Sequence, residues 1–379
     1  MSVTDRYVIR EMNEKLVLNT IIHKELISRA DISKQTNLNK ATVSSIVSSL
    51  LSRNLILELG MGASSGGRKP IMVTFNNKAG VSLSLDLGPN YISSMVSYLD
   101  GELITEKYIS LVNTNNTNIL TALTDLIKFH LDHMPATTYG LIGICIGIHG
   151  IVNHNQLIFS PFYSFENFNL QDELENLFKV PVLLENEANL SALGEKKYTT
   201  HTPNLISLSI KYGIGAGIIL NDTLFTGING YAGEIGHLIT VPNGKNCPCG
   251  NQGCLEQYAS EHQILKLYSE KTKVKNVTFS QFKEDYLAEK EMALETMDLF
   301  IYYITICVNN LILTFNPEIV IINSKLTNEI DDVITQIKAN LTPILNTSHT
   351  QIKASTLSEK STLLGGSYVN SVKFLEIQH

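Results

Sequence analysis

The sequence predicts an α/β protein in two parts: an N-terminal winged helix-turn-helix and a larger body of strands and helices behind it. Three observations carry this. Residues 13–53 read as helical stretches, two of them split by a three-residue turn, and two strand-like runs then flank a glycine-rich loop. From Val81 the apolar pattern changes to strand, turn, strand, and to buried strands passing into helices. The charge changes sign at the same place, with eleven Lys and Arg against six Asp and Glu in residues 1–78 and eighteen against thirty in the rest.

With 379 residues, 44% hydrophobic and 17% charged, the chain has the composition of a soluble globular protein of two or three domains. No apolar run reads as a bilayer span and the N-terminus has no signal-peptide core, so no membrane and a cytoplasmic location are expected. A basic head on an acidic body points to an anionic partner at the head, for which double-stranded DNA is the obvious candidate.

In the head, Asn13 to Lys24 reads as an amphipathic helix with Leu16, Ile21 and Ile22 among its apolar positions. Ser28 can cap a short second helix that carries Ile32 inward, and Asn37-Leu38-Asn39 is a turn. Asn39 or Lys40 opens a third helix, residues 41–53, with Val43, Ile46, Val47, Leu50 and Leu51 as its buried stripe. Such a helix presents its N-terminal residues to the major groove, which makes Lys40, Thr42, Ser44 and Ser45 the candidate DNA contacts. Two strands, residues 55–58 and 71–75, enclose a glycine-rich loop ending in Arg68-Lys69, a wing able to lay both cations on the DNA backbone or in the minor groove. A helical hairpin used only for packing is the rival for this region.

In the body, Val81 onward reads as a hairpin around Asp86-Leu87-Gly88-Pro89-Asn90, and residues 119–131 as a helix. Residues 141–152 are a buried strand running into a glycine turn at His149-Gly150, with Cys145 a core thiol. Residues 180–195 pass from strand to helix, placing Asn186 and Glu187 where α/β folds hold ligands. A second hairpin, residues 205–210 and 217–221, surrounds a glycine turn, and a long apolar helix from about Leu294 to Phe315 ends at Pro317 before a strand, 318–322. Gly365-Gly366 is read as preceding a last helix.

The stretch Gly233 to Glu256 holds a histidine and three of the five cysteines. Zn²⁺ takes four N or S ligands as a tetrahedron, and Cys₃His is one of its structural sets, so His237, Cys247, Cys249 and Cys254 suffice for a structural zinc. Three core thiols or a disulfide are the alternatives. Crowding by Pro, Gly and Asn speaks against the first, and the odd cysteine against the second.

The order E-I-G-H, then C-x-C-G-x-x-G-C-x-E-Q-Y-A-S, resembles the zinc loop of the ROK family of repressors, open reading frames and sugar kinases. The likeness extends to S-G-G-R-x-P after the third helix, to I-G-x-x-G-x-V at 146–152 and to E-N-x-A-N-x-x-A-L-G-E at 185–195. It implies a two-lobed, actin-like body of the sugar kinase and ribonuclease H type behind the winged head. The implied divisions are 1–78 for the head, 79–185 with the C-terminal helix 363–379 for the first lobe, and 186–362 for the second. It also implies a sugar held by Asn186, Glu187, Glu234, His237 and Glu256, with zinc orienting His237.

Within that family three departures stand out: Pro89-Asn90 in the first phosphate turn, Glu187 where the kinases carry an aspartate base, and Asn323-Ser324 where a Gly-Gly turn seats adenine. Proline removes a phosphate donor, and one extra methylene displaces a base by about an ångström, on the order of a hundredfold in rate. The resemblance, closest to the xylose-repressor branch, therefore implies a sugar-responsive repressor without catalysis, acting as a homodimer or homotetramer on a palindromic operator. An ATP-dependent sugar kinase and a DNA-binding protein answering a protein partner are the rivals.

Overall fold

Ser28 and Asn39 open the two helices that define the head. In the computed structural model, which describes residues 3–61, 70–111, 116–163, 165, 169–344 and 349–377, their side chains accept from the amides of Asp31 and Thr42. Donors that a helix start leaves over are thereby satisfied. The head runs α1 (Val3–Ile22), β1 (Ile27–Ser28), α2 (Arg29–Thr36), α3 (Lys40–Ser52), β2 (Ile56–Met61) and β3 (Ile71–Phe75), with the strands in the antiparallel order β1-β3-β2. Val17, Ile21, Ile32, Val43, Val47 and Leu50 form its core.

Two expectations change here. The first helix starts at Val3 rather than Asn13, and Leu16 is exposed, because Val17, Leu18 and Ile21 form the inward face. The wing tip, with Arg68 and Lys69, lies outside the described residues.

The body begins with β4 (Val81–Leu87), β5 (Tyr91–Tyr98), β6 (Leu103–Ser110), α4 (Asn116–His133), β7 (Leu141–Ile148), β8 (Ile151–Asn153), β9 (Gln156–Phe159), α5 (Leu170–Phe178), β10 (Val182–Asn186) and α6 (Glu187–Tyr198). It continues with β11 (Leu205–Ile210), β12 (Ile214–Leu220), β13 (Thr223–Leu224), α7 (Glu256–Ala259), α8 (Glu261–Thr272), α9 (Phe279–Leu287) and α10 (Glu291–Phe315). Last come β14 (Ile319–Asn323), α11 (Lys325–Asn328), α12 (Val333–Ala339), β15 (Gln351–Ala354) and α13 (Ser361–Leu375).

Its two five-stranded sheets repeat one plan. Three antiparallel strands (β4-β5-β6 or β11-β12-β13) are extended on the first strand's free edge by two parallel ones (β7 and β10, or β14 and β15). Each final parallel strand leads to a helix, α6 or α13, and these two helices pack on one another. The repeat makes the β4–β5 turn and the β11–β12 turn equivalent. This is the actin-like α/β plan.

Four glycines of the body stand inside elements rather than in turns. Gly365 and Gly366 lie inside α13, and Gly215 and Gly217 lie inside β12. A β-carbon at Gly217 would stand 2.3 Å from the Ala188 carbonyl oxygen, so these residues let α6 approach the sheet. The turn between β11 and β12 is only Lys211 to Gly213, closed by a bond from the Lys211 amide to the Gly213 carbonyl of 2.9 Å. By length and composition α10 could span a bilayer, contrary to expectation. It buries Ala293, Met297, Phe300, Ile304, Val308 and Leu311 in the core beside the second sheet.

Helix α13 joins the two parts of the molecule. Its first turn lies against Glu187 at the start of α6, and at its far end Phe374, Leu375 and Ile377 pack into the core of the head.

Candidate functional site

Tight turns build the loop that carries His237 and the three cysteines. Gly233, Gly250 and Gly253 all have positive φ, and a side chain at Gly253 would run into the Val241 carbonyl at 1.8 Å. The Cys247 amide reaches the Asn251 carbonyl (2.9 Å), folding the chain back so that Cys254 joins Cys247 and Cys249. The donor atoms of His237, Cys247, Cys249 and Cys254 all lie within 4.8 Å of one another.

Their spacing fits zinc. A tetrahedron with Zn–S of about 2.3 Å and Zn–N of about 2.05 Å has edges of about 3.8 Å (S···S) and about 3.6 Å (S···N). Cys249 Sγ stands 3.6 Å from Cys254 Sγ, and Cys247 Sγ 3.6 Å from His237 Nδ1. Burial lifts the Cys247 thiol above its ordinary value, and a bound cation would favour its thiolate. Cys145 and Cys307 are buried elsewhere, in the cores of the body.

Turning His237 Nδ1 toward the cysteines points Nε2 the other way, 3.8 Å from Glu234 Oε2. Glu256 approaches from the first turn of α7, its Oε1 3.1 Å from Cys247 Sγ and 3.7 Å from His237 Nδ1. Burial, then the neighbouring carboxylates of Glu256 and Glu187, push Glu234 up to about 7. Glu234, His237 and Glu256 thus stand together, with Glu187 near enough to act on Glu234, and this group offers acceptors suited to hydroxyl groups. Asn186 is committed to the backbone. Its oxygen caps α6 by accepting from the Ala188 and Asn189 amides, and its nitrogen donates to the Gly150 carbonyl.

Beneath these residues lies a second cluster. Asp86, at the end of β4, accepts from Tyr91 Oη (3.0 Å), from Lys211 Nζ (3.2 Å) and, at its other oxygen, pairs with His149 Nε2 (2.8 Å). Lys211 Nζ also reaches Glu187 Oε2 (3.4 Å) and Thr362 Oγ1 (3.4 Å), and Ser209 Oγ donates to Glu187 (3.2 Å). His149 therefore contacts Asp86 rather than the zinc-side carboxylates. Lys211 was not among the residues expected here. Its signal was a lysine in a turn otherwise made of small and apolar residues.

The Tyr91 ring lies over Gly88, where a β-carbon would meet it at 2.1 Å. Asn323 donates to Ser358 and Ser361, and Ser324 caps α11 and donates to Glu261.

In the head, Lys40 and Ser45 are exposed and Thr42 and Ser44 half-buried, all within the first two turns of α3.

The chain matches the ROK family over residues 82–371. It is 36% identical over 384 aligned residues to the xylose repressor of Bacillus spizizenii, covering 100% of this chain and 99% of the relative. A crystal structure of a ROK family transcriptional regulator, a homolog of the E. coli MLC protein, superposes with a TM-score of 0.81 and 25% identity over 97% of both chains. A ROK family glucokinase from Streptomyces griseus, solved with glucose and AMPPNP, shares the fold of the body (TM-score 0.68, 22% identity) over 76% of this chain and 99% of the enzyme.

Proposed function

Because the chain belongs to the ROK family, we propose that it is a sugar-responsive DNA-binding transcriptional regulator, a repressor of carbohydrate-utilisation genes acting in the cytoplasm. The observation that carries this is the extent of the likeness. The repressor of B. spizizenii matches from end to end, head included, whereas the whole glucokinase corresponds to only 76% of this chain. An added basic head is what a regulator needs and a kinase does not.

In this reading residues 1–78 are the DNA-binding domain, 79–185 with the last helix form one lobe, and 186–362 form the other. Lys40, Thr42, Ser44, Ser45, Arg68 and Lys69 meet operator DNA, and a homodimer or homotetramer sets two heads on a palindrome. Glu187, Glu234, His237 and Glu256 accept the hydroxyls of a small sugar, with Asn186 shaping the edge of the site. Zinc on His237, Cys247, Cys249 and Cys254 supplies a fixed, charged crosslink. Held there through Nδ1, the His237 ring presents Nε2 in one orientation to the sugar.

Sugar binding draws the lobes together, and α13 carries the change to the head. Effector affinity and operator affinity are then linked by one coupling free energy. The body is kinase-like without catalysis, since Tyr91, Pro89 and Asn323 take up the phosphate and adenine positions.

Calorimetric titration with a panel of aldoses, followed by operator binding with and without any sugar that binds, tests this reading. Sugar binding that changes operator affinity, without ATP turnover, supports it. Turnover of ATP and sugar would put the kinase reading first.

A further inference from the structure

We propose that Lys211 is a built-in cation that latches the two lobes together, filling from within the protein the place between Asp86 and Glu187 that a metal–polyphosphate would otherwise take. The inference rests on the non-catalytic reading of the body.

Topology makes the contact an interlobe one. Asp86 ends β4 in the first sheet, and Lys211 leads the equivalent turn, after β11, in the second. Glu187 opens α6 and Thr362 lies in the first turn of α13, the two helices between the sheets. One ammonium group therefore ties four elements by donating to Asp86 (3.2 Å), Glu187 (3.4 Å) and Thr362 (3.4 Å), which uses all three of its N–H donors.

The charges offset one another. The side chains of Asp86 and Glu187 are 4% and 9% exposed, and Lys211 is 19% exposed. Two carboxylates so buried have lost most of their hydration, and the ammonium between them supplies compensating charge, with His149 at the other oxygen of Asp86. Burial works against the charge of Lys211, but Asp86 and then Glu187 outweigh it and keep the ammonium well above the ordinary lysine range. A polyphosphate arriving with its metal would find these carboxylates already neutralised and the Tyr91 ring lying on Gly88.

Lys211→Ala in the full-length, zinc-loaded protein tests the latch. The expected result is a fall in Tm of roughly 5–10 °C and a larger radius of gyration by small-angle scattering. Millimolar magnesium chloride should restore a large part of both, because the vacated carboxylates suit a hard dication that thiolates do not attract. Wild-type protein should ignore magnesium, and Lys211→Arg, which keeps the cation, should remain near wild type.

An alanine variant with wild-type Tm and radius would overturn the proposal, as would stabilisation of the wild type by magnesium with AMPPNP. If the alanine variant yields no folded protein, Asp86→Asn combined with Lys211→Met decides. Recovery of folded protein relative to Lys211→Met alone supports the latch, and no recovery overturns it. Failure here leaves sugar-responsive operator binding untouched, whereas failure of the regulator reading appears as ATP turnover or as absence of operator binding.

Discussion

The backbone of Gly365 lies so close to the carbonyl of Leu190 that a β-carbon at position 365 would sit 1.8 Å from the oxygen. The contact belongs to α13 on one side and α6 on the other. Helix α6 starts at Glu187, and α13 ends at Leu375 in the core of the head. In the proposed regulator, movement of the lobes would therefore reach the head through two helices in backbone contact. Gly365→Ala should force them apart, costing about 1–3 kcal/mol of stability by overpacking. Urea unfolding checks that cost. Operator titrations with and without sugar should show the ratio of affinities collapsing toward one, and an unchanged ratio would mean that the signal takes another route.

Thr362 provides a gentler probe of the same path. Its hydroxyl lies 3.4 Å from both the Glu187 carbonyl oxygen and Lys211 Nζ, so it couples the start of α13 to the carboxylate that opens α6. Thr362→Val keeps the shape and removes the polar link, at about 1 kcal/mol for a buried hydrogen bond. Operator affinity without sugar should stay within a few-fold of wild type, while the sugar-induced change shrinks by a factor of about 5–10, as anisotropy with labelled operator would read.

Zinc should be separable from DNA binding. Cys249 is the exposed member of the ligand set, so Cys249→Ser opens the tetrahedron with little disturbance of the core. Elemental analysis should find about one zinc per wild-type chain and a large loss in the variant. Sugar affinity should fall by roughly 10–100-fold because the His237 ring is freed, while operator binding persists. Full sugar affinity in zinc-free protein would remove the orienting role of the metal.

Acid stability should report on a group far from the cleft. His130 of α4 is buried with Nε2 2.8 Å from Ser94 Oγ, and burial first, then Lys107 and His133, bring it down to about 4 from 6.5. The unfolded chain thus takes up this proton before the folded one does. The contribution to stability is fully present above pH 6.5 and is lost as pH falls through the interval to 4. The loss amounts to roughly 2–3 kcal/mol, allowing for solvent screening. His130→Gln should flatten the stability profile in that window, measured by urea midpoints at fixed ionic strength.

What was legible in the sequence depended on how local the governing physics is. The four residues of the candidate metal site lie within eighteen residues, and the caps Ser28 and Asn39 act on the next turn, so spacing alone brought them out. The partners of Lys211 lie 24 to 151 residues away, and only the repeated sheet plan brings them together. Gly215 was expected in a glycine turn and lies in a strand instead, because close approach of a distant backbone leaves no local trace. Leu16 was assigned inward for a similar reason: α1 has a weak apolar period, and packing on α2 and β3 decides its face.

The head yields the remaining prediction. Lys40 stands exposed at the first residue of α3, where the helix dipole and its free amides already favour an anion. A cation there meets phosphate before any base is read. Lys40→Ala should therefore weaken binding to operator and to unrelated DNA alike, and lower the slope of log K against log salt by about 1. Arg68→Ala and Lys69→Ala in the wing should each do the same. Ser45→Ala should differ in kind, with the salt slope unchanged and discrimination at one base pair relaxed by about 1–3 kcal/mol. Titrations across a salt series on operator and scrambled duplexes separate the two outcomes. A change in salt slope with Ser45→Ala, or none with Lys40→Ala, would mean that α3 lies on DNA in a different orientation.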